Sequence, residues 1–214
     1  SDLGLMGGGF IYTNKNSLSI GVVVGLEHIG EADATIEQMM EEFKAYPTVA
    51  RLIKGGKLLE RSGHMVPEAG DRAVTTLSGD GFIITGDAAG FCINMGYTVR
   101  GMDFAIASGM HAADTVIKAK RMGDFSAGAM RLYDIKIADS FVGRDLKKYR
   151  HFPEFLNNPR IFQQYPGMVN GIMQDVFTVN GDGAESLVPK LFKRANAVGL
   201  FNLAKDAIKG GRAL

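Results

Sequence analysis

Hydrophobic periodicity changes character near the middle of the chain, and that change limits the folds open to it. Over the first hundred residues the apolar runs are short and rich in β-branched and aromatic residues, at 10–12, 18–26, 57–66, 72–77 and 81–85. Such runs read as strands, and Asn14-Lys15-Asn16 supplies the polar turn of a hairpin between the first two. One amphipathic helix is predicted over 34–45. There Ile36, Met39, Met40 and Phe43 recur at helical spacing opposite Glu37, Glu41, Glu42 and Lys44, with Pro47 just beyond. The Met pair reads as core filling. From residue 102 onward the spacing is helical, over 102–122, 127–149, 160–177 and 185–210, with a break at Gly199. Strands first and helices second predict an α+β fold, or a partial α/β fold with a helical tail. The same reading divides the chain into a strand-rich portion (1–80), a strand, Gly-rich loop and helix (81–122) and a helical region (123–214), with a loop at 179–183.

Composition removes several classes of function. With 24 Lys and Arg against 23 Asp and Glu, the net charge of +1 creates no global field to attract nucleic acid, so no nucleic-acid partner is expected. The single cysteine, Cys92, cannot form an internal disulfide or supply a multi-thiolate cluster, which suits a reducing, cytoplasmic setting. No stretch approaches the ~18 apolar residues that a spanning helix needs. The chain opens without Met and runs almost at once into Gly7-Gly8-Gly9 and a strand pattern, so it reads as a piece of a longer polypeptide.

The stretch that carries chemistry is 81–90, Gly-Phe-Ile-Ile-Thr-Gly-Asp-Ala-Ala-Gly, followed by Gly96, Arg100, Gly101 and a long helix from Met102. An apolar strand ending in Gly86-Asp87-Ala88-Ala89 sets a carboxylate beside residues small enough for close backbone approach to a ligand. A chain of sugar hydroxyls suits that carboxylate. The helix start offers unsatisfied N–H groups to a negatively polarised ring oxygen.

These residues, with Asp103 and the small-residue run Ala105-Ile106-Ala107-Ser108-Gly109 and Ala112-Ala113, resemble the second FAD motif of the hydroxylase and geranylgeranyl-reductase group of flavoproteins. Within that group the chain is most similar to the FixC-like branch, relatives of electron-transfer flavoprotein:quinone oxidoreductase. The opening 7–14, the hairpin strand 19–26 and the run Phe141-Val142 with Asp145 to Tyr149 extend the resemblance over about residues 7–180. It implies the C-terminal portion of an FAD/NAD(P)-binding-type flavoprotein: antiparallel strands of a substrate or cap-type domain, then a helical tail. It also implies that Asp87 bonds the ribityl chain, that backbone near Gly101 and Met102 faces the pyrimidine edge of the flavin, and that Gly86, Ala88, Ala89 and Gly96 line the cofactor. Many relatives carry a Pro and a shorter loop where this chain has residues 93–100. The family's N-terminal Gly-x-Gly-x-x-Gly fingerprint for the pyrophosphate is absent from this sequence, so the chain alone is expected to be inactive and to bind FAD poorly.

The full-length protein implied is an FAD-dependent oxidoreductase passing electrons from an electron-transfer flavoprotein to a quinone or a ferredoxin-like protein. Two other readings stay open, a geranylgeranyl-reductase-like flavoenzyme and a non-catalytic interaction module. His64 in a strand pattern and His111 in a small-residue helix read as structural or surface residues, His28 and His151 as loop or helix-end residues, and Cys92 as buried filler. The basic group Arg144, Lys147, Lys148 and Arg150 reads as a solvated helix face before an electron-partner patch. Val198, Phe201, Leu203, Ala204 and Ile208 in the tail suit packing against the rest of the protein, with peripheral membrane contact as the alternative. Exposed strand edges leave room for homo-oligomerisation.

Overall fold

The computed structural model describes residues 5–27, 29–96, 98–179, 181, 183 and 186–213. His28, Asn180, Asp182 and Glu185, named above, lie outside the described residues, as does Tyr97 in the Gly-rich loop. In chain order the elements begin with β1 (Gly7–Thr13), β2 (Leu18–Val24), α1 (Ile36–Ala45), α2 (Pro47–Ile53), β3 (Ser78–Gly79), β4 (Phe82–Ile83), β5 (Ile93–Asn94) and β6 (Val99–Arg100). Helices follow: α3 (Met102–Met122), α4 (Ala127–Asp139), α5 (Phe141–Lys148), α6 (Phe152–Leu156), α7 (Arg160–Gln163), α8 (Tyr165–Phe177), α9 (Leu187–Val198) and α10 (Leu200–Ala213). The architecture is α+β, helix-rich with small antiparallel strand pairs: β1–β2, β3–β4 and β5–β6. It comprises two compact units, Ser1–Gly63 with Asn158–Leu203, and His64–Asn157 with Ala204–Leu214.

In the first unit the predicted hairpin forms with Ile11 opposite Ile20. Asn14 makes the turn, donating its N–H to the Ser17 carbonyl at 2.9 Å and its amide Nδ2 to Ser19 Oγ at 2.9 Å. Helix α1 starts with a capping box: Thr35 Oγ1 accepts from the Gln38 N–H, and Gln38 Oε1 accepts from the Thr35 N–H. Pro47 then opens α2 at a first-turn position where its missing N–H costs nothing. Helices α8 and α9 are joined by a two-pronged ion pair, Arg194 to Asp175 at 2.8 and 2.9 Å, which holds the Asp175 carboxyl below the usual range.

The second unit is built on α3 and α4. Among the described residues, Phe91, Ile93, Phe104, Met130, Tyr133 and Val142 are its large fully buried side chains, and Ser108 and Thr115 turn inward from α3 with them. Inside the helix the Ser108 hydroxyl donates to the Ala105 carbonyl and that of Thr115 to the His111 carbonyl. Lys136 of α4 pairs with Asp114 of α3. Gly123, left-handed at φ 68°, ends α3. Among the described residues, no helix is long and apolar enough to cross a membrane.

Three expectations differ from the structure. Residues 57–66 and 72–77 are not strands: the first run is exposed and irregular, and the second starts in a 3-10 turn (Gly70–Ala73) and continues as backbone held by single hydrogen bonds, from the Thr75 N–H to Ala89 and from the Ile84 N–H to Leu77. A strand needs a neighbour to accept its backbone hydrogen bonds, and neither run has a ladder partner among the described residues. The helix expected over 127–149 is two helices, because Ser140 is extended (φ −79°, ψ 173°), caps α5 by accepting from the Val142 N–H and donates its hydroxyl to the Ile137 carbonyl. The helix expected over 160–177 is likewise split at Gln164, ahead of Pro166 in the first turn of α8. The break at Gly199 falls where the sequence puts it, at φ 92°.

Candidate cofactor site

The segment after β4 leaves extended backbone at Thr85 and folds into a 3-10 turn, Gly86–Ala89, closed by Gly90. Gly90 is required there: its φ is 80°, and a Cβ would lie 2.2 Å from the Ala73 carbonyl oxygen. The Gly90 N–H donates to the Asp87 carbonyl at 2.9 Å and the Phe91 N–H to the Gly86 carbonyl at 3.1 Å, closing the turn. Two side chains fix its position. The Gly86 N–H donates to Ser108 Oγ of α3 at 3.1 Å, in the buried interior, and the Tyr133 hydroxyl of α4 donates to the Ile84 carbonyl at 3.0 Å. Burial pushes the Tyr133 phenol up to about 12, so it remains a donor at every physiological pH.

What the turn presents outward is Asp87. Its side chain is 48% exposed, flanked by exposed Ala88, while Gly86 and Ala89 are buried. The carboxylate Oδ2 lies 3.3 Å from His64 Nε2. On the next segment, Phe91, Cys92 and Ile93 are buried and lead into the β5–β6 hairpin. Asn94 organises that hairpin: its Oδ1 accepts from the Gly96 N–H at 2.8 Å and its Nδ2 donates to Glu68 Oε2 at 3.0 Å.

After the hairpin, Gly101 precedes α3 and packs where any Cβ would meet Cys92 Sγ at 3.4 Å. No side chain caps the first turn of α3. Asp103, in that turn, is instead engaged by Arg100, which spans Asp103 and Asp145 at 2.6 and 2.7 Å and lies over the Phe104 ring at 4.6 Å. The N–H groups at the start of a 21-residue helix therefore stay open to a ligand. Met102, beside them, is largely exposed.

Of the residues singled out in the sequence, Gly86, Asp87, Ala88 and Ala89 form one turn bonded to α3, and Gly101 and Met102 form the start of that same helix. Gly96 is set apart from them, at the hairpin tip against Leu156 of α6. Cys92 is buried, and burial first, then the carboxylates of Glu68, Asp87 and Asp103, push its thiol up to about 11. The residues fit a flavin in kind: a half-exposed carboxylate on a small-residue turn, and an uncapped helix start beside it. The sequence shows Ser108 only as a member of the small-residue run and His64 as a structural or surface residue, and nothing in it marks Tyr133; only the fold brings the three to the turn.

Comparison with known proteins adds to this geometry. Residues 152–214, which hold α6 to α10, match the family model described as the ETF-QO/FixC family C-terminal domain. Over 211 residues the chain is 51% identical to the probable electron transfer flavoprotein-quinone oxidoreductase YdiS of Escherichia coli (strain K12), covering 99% of this chain and 49% of that protein. It is 48% identical over 207 residues to the protein FixC of the same organism, covering 97% and 48%. The chain belongs to the ETF-QO/FixC family. A more distant member, the protein FixC of Azotobacter vinelandii, is 35% identical over 216 residues, covering 100% of this chain and 50% of that protein. The chain thus spans about half the length of the curated relatives it matches. In this ETF-QO/FixC chain, the turn and the start of α3 precede the matched C-terminal domain but lie within the stretch shared with all three relatives.

Proposed function

We propose that this chain supplies the flavin-facing part of an FAD-dependent oxidoreductase. In full length it would accept electrons from an electron-transfer flavoprotein and pass them to a quinone or a ferredoxin-like protein. One observation carries the reading: Asp87 stands half-exposed on a turn hydrogen-bonded, through Gly86 and Ser108, to the helix α3, whose first turn is uncapped and meets Gly86 at Ala105. FAD, when bound, supplies the redox chemistry. The protein's part is to bind and orient it. Asp87 would accept from the hydroxyls of the ribityl chain, and the small residues Gly86, Ala88 and Ala89 would permit close approach; Gly96, against Leu156 of α6, stands apart from this turn. Backbone N–H groups at Gly101 and Met102, at a helix start that no side chain caps, would serve the ring edge where negative charge gathers on reduction.

The names of the relatives support electron transfer between a flavoprotein and a quinone. Because the pyrophosphate fingerprint is missing from this sequence, the chain alone is expected to bind FAD weakly and to be inactive. The direct test uses the full-length protein with bound FAD, reduced anaerobically by an electron-transfer flavoprotein and reoxidised by a short-chain quinone or a ferredoxin, with flavin absorbance followed throughout. Bleaching by the donor and recovery with either acceptor is the expected result. No bleaching by reduced electron-transfer flavoprotein would remove that partner from the account.

A further inference from the structure

His64 is delivered to Asp87 by an anchored segment. A few residues downstream, Glu68 Oε2 accepts from Asn94, Ala69 forms a β-bridge with Ile93, and Gly70 is buried. The stretch carrying His64 is exposed and belongs to no strand ladder; Arg61 in it pairs with Glu37 at 3.3 Å, and the His64 side chain, 67% exposed, makes its contact through Nε2 with Asp87 Oδ2 at 3.3 Å.

Three carboxylates act electrostatically on Cys92: Glu68, Asp87 and Asp103. Asp103 is held by Arg100 and Glu68 by the amide of Asn94, partners whose charge does not change near neutral pH. Asp87 alone of the three has an imidazole, the side chain whose charge changes between about pH 5 and 8. Protonated, that imidazole makes a charge-assisted hydrogen bond about twice as strong as a neutral one, and it occupies one of the two oxygens that a sugar hydroxyl would use.

We propose that His64 is a positioning residue that competes with the flavin for Asp87, holding the carboxylate as an imidazolium and releasing it on losing its proton, so that FAD binds more tightly as pH rises. The proposal rests on the assignment of Asp87 to the flavin polyol. An exposed ion pair of this kind is worth a small factor, about 1.5- to fivefold in affinity.

The test is FAD titration by flavin fluorescence of the full-length protein at pH 5.5 and 7.5, in wild type, His64→Gln and His64→Lys. The wild type is expected to lose about 1.5- to fivefold more affinity on acidification than His64→Gln. His64→Lys, charged at both pH values, is expected to bind FAD weakly at both. A His64→Gln protein with the full wild-type pH dependence would overturn the proposal, as would a His64→Lys protein that binds FAD at pH 7.5 as tightly as wild type. Failure of the wild type to bind FAD at either pH would instead overturn the cofactor assignment, and this inference with it.

Discussion

At the scale of single residues, the turn that carries Asp87 depends on Gly90, both for its left-handed backbone and because the Ala73 carbonyl fills the space of its missing Cβ. Gly90→Ala is therefore expected to cost at least about 1–3 kcal/mol, read as a lower midpoint in chemical denaturation. Cys92 gives a pH prediction. Its thiol titrates at about 11 in the fold against an ordinary value of 9.0, so the native state keeps a proton that the unfolded chain has released. Stability from this group is unchanged below pH 9 and falls as pH rises from 9 towards 11. Cys92→Ala should flatten that alkaline decline, and native Cys92 should resist alkylation at pH 8. Rapid labelling of the native thiol at pH 8 would count against the buried, protonated state.

At the scale of elements, local chemistry decides which sequence patterns were legible. Helix α1 could be read because its apolar stripe, the charges opposite and Pro47 just beyond agree; the structure adds the Thr35 and Gln38 cap, and Thr35→Ala should destabilise the protein by about 1 kcal/mol in denaturant melts. The hairpin, the long α3 and the Gly199 break were legible for the same reason, since pattern and punctuation coincide. Ser140 was not. A serine within a helical pattern is ordinary, and only its hydroxyl, bonded to both Ile137 and Val142, shows the stop. The runs at 57–66 and 72–77 failed differently. Their composition favours a strand, but a strand exists only with a partner, and hydrophobic pattern carries no information about that partner. The turn at Gly86–Ala89 and the helix start at Met102 were read directly from small residues around an acid. His64 was read as a structural or surface histidine, because its meeting with Asp87 needs two segments 23 positions apart to come together.

At the scale of the whole molecule, α3 is the element that asks most of its surroundings. Phe104, Ser108, Thr115 and Ala119 face the core, while Met102, Ile106 and Met110 are each about 70% exposed on another face. A helix apolar on more than one face is suited to burial on more than one face. The claim on which everything else rests is that Asp87 and the start of α3 receive FAD. The most direct measurement is the FAD affinity of the full-length protein and of its Asp87→Ala variant, with circular dichroism to show that both are folded. The account expects tight binding by wild type and a loss of about 10- to 100-fold in Asp87→Ala, the worth of a hydrogen bond to a charged acceptor. Equal affinity in the two proteins, or no FAD binding by the wild type, would contradict it.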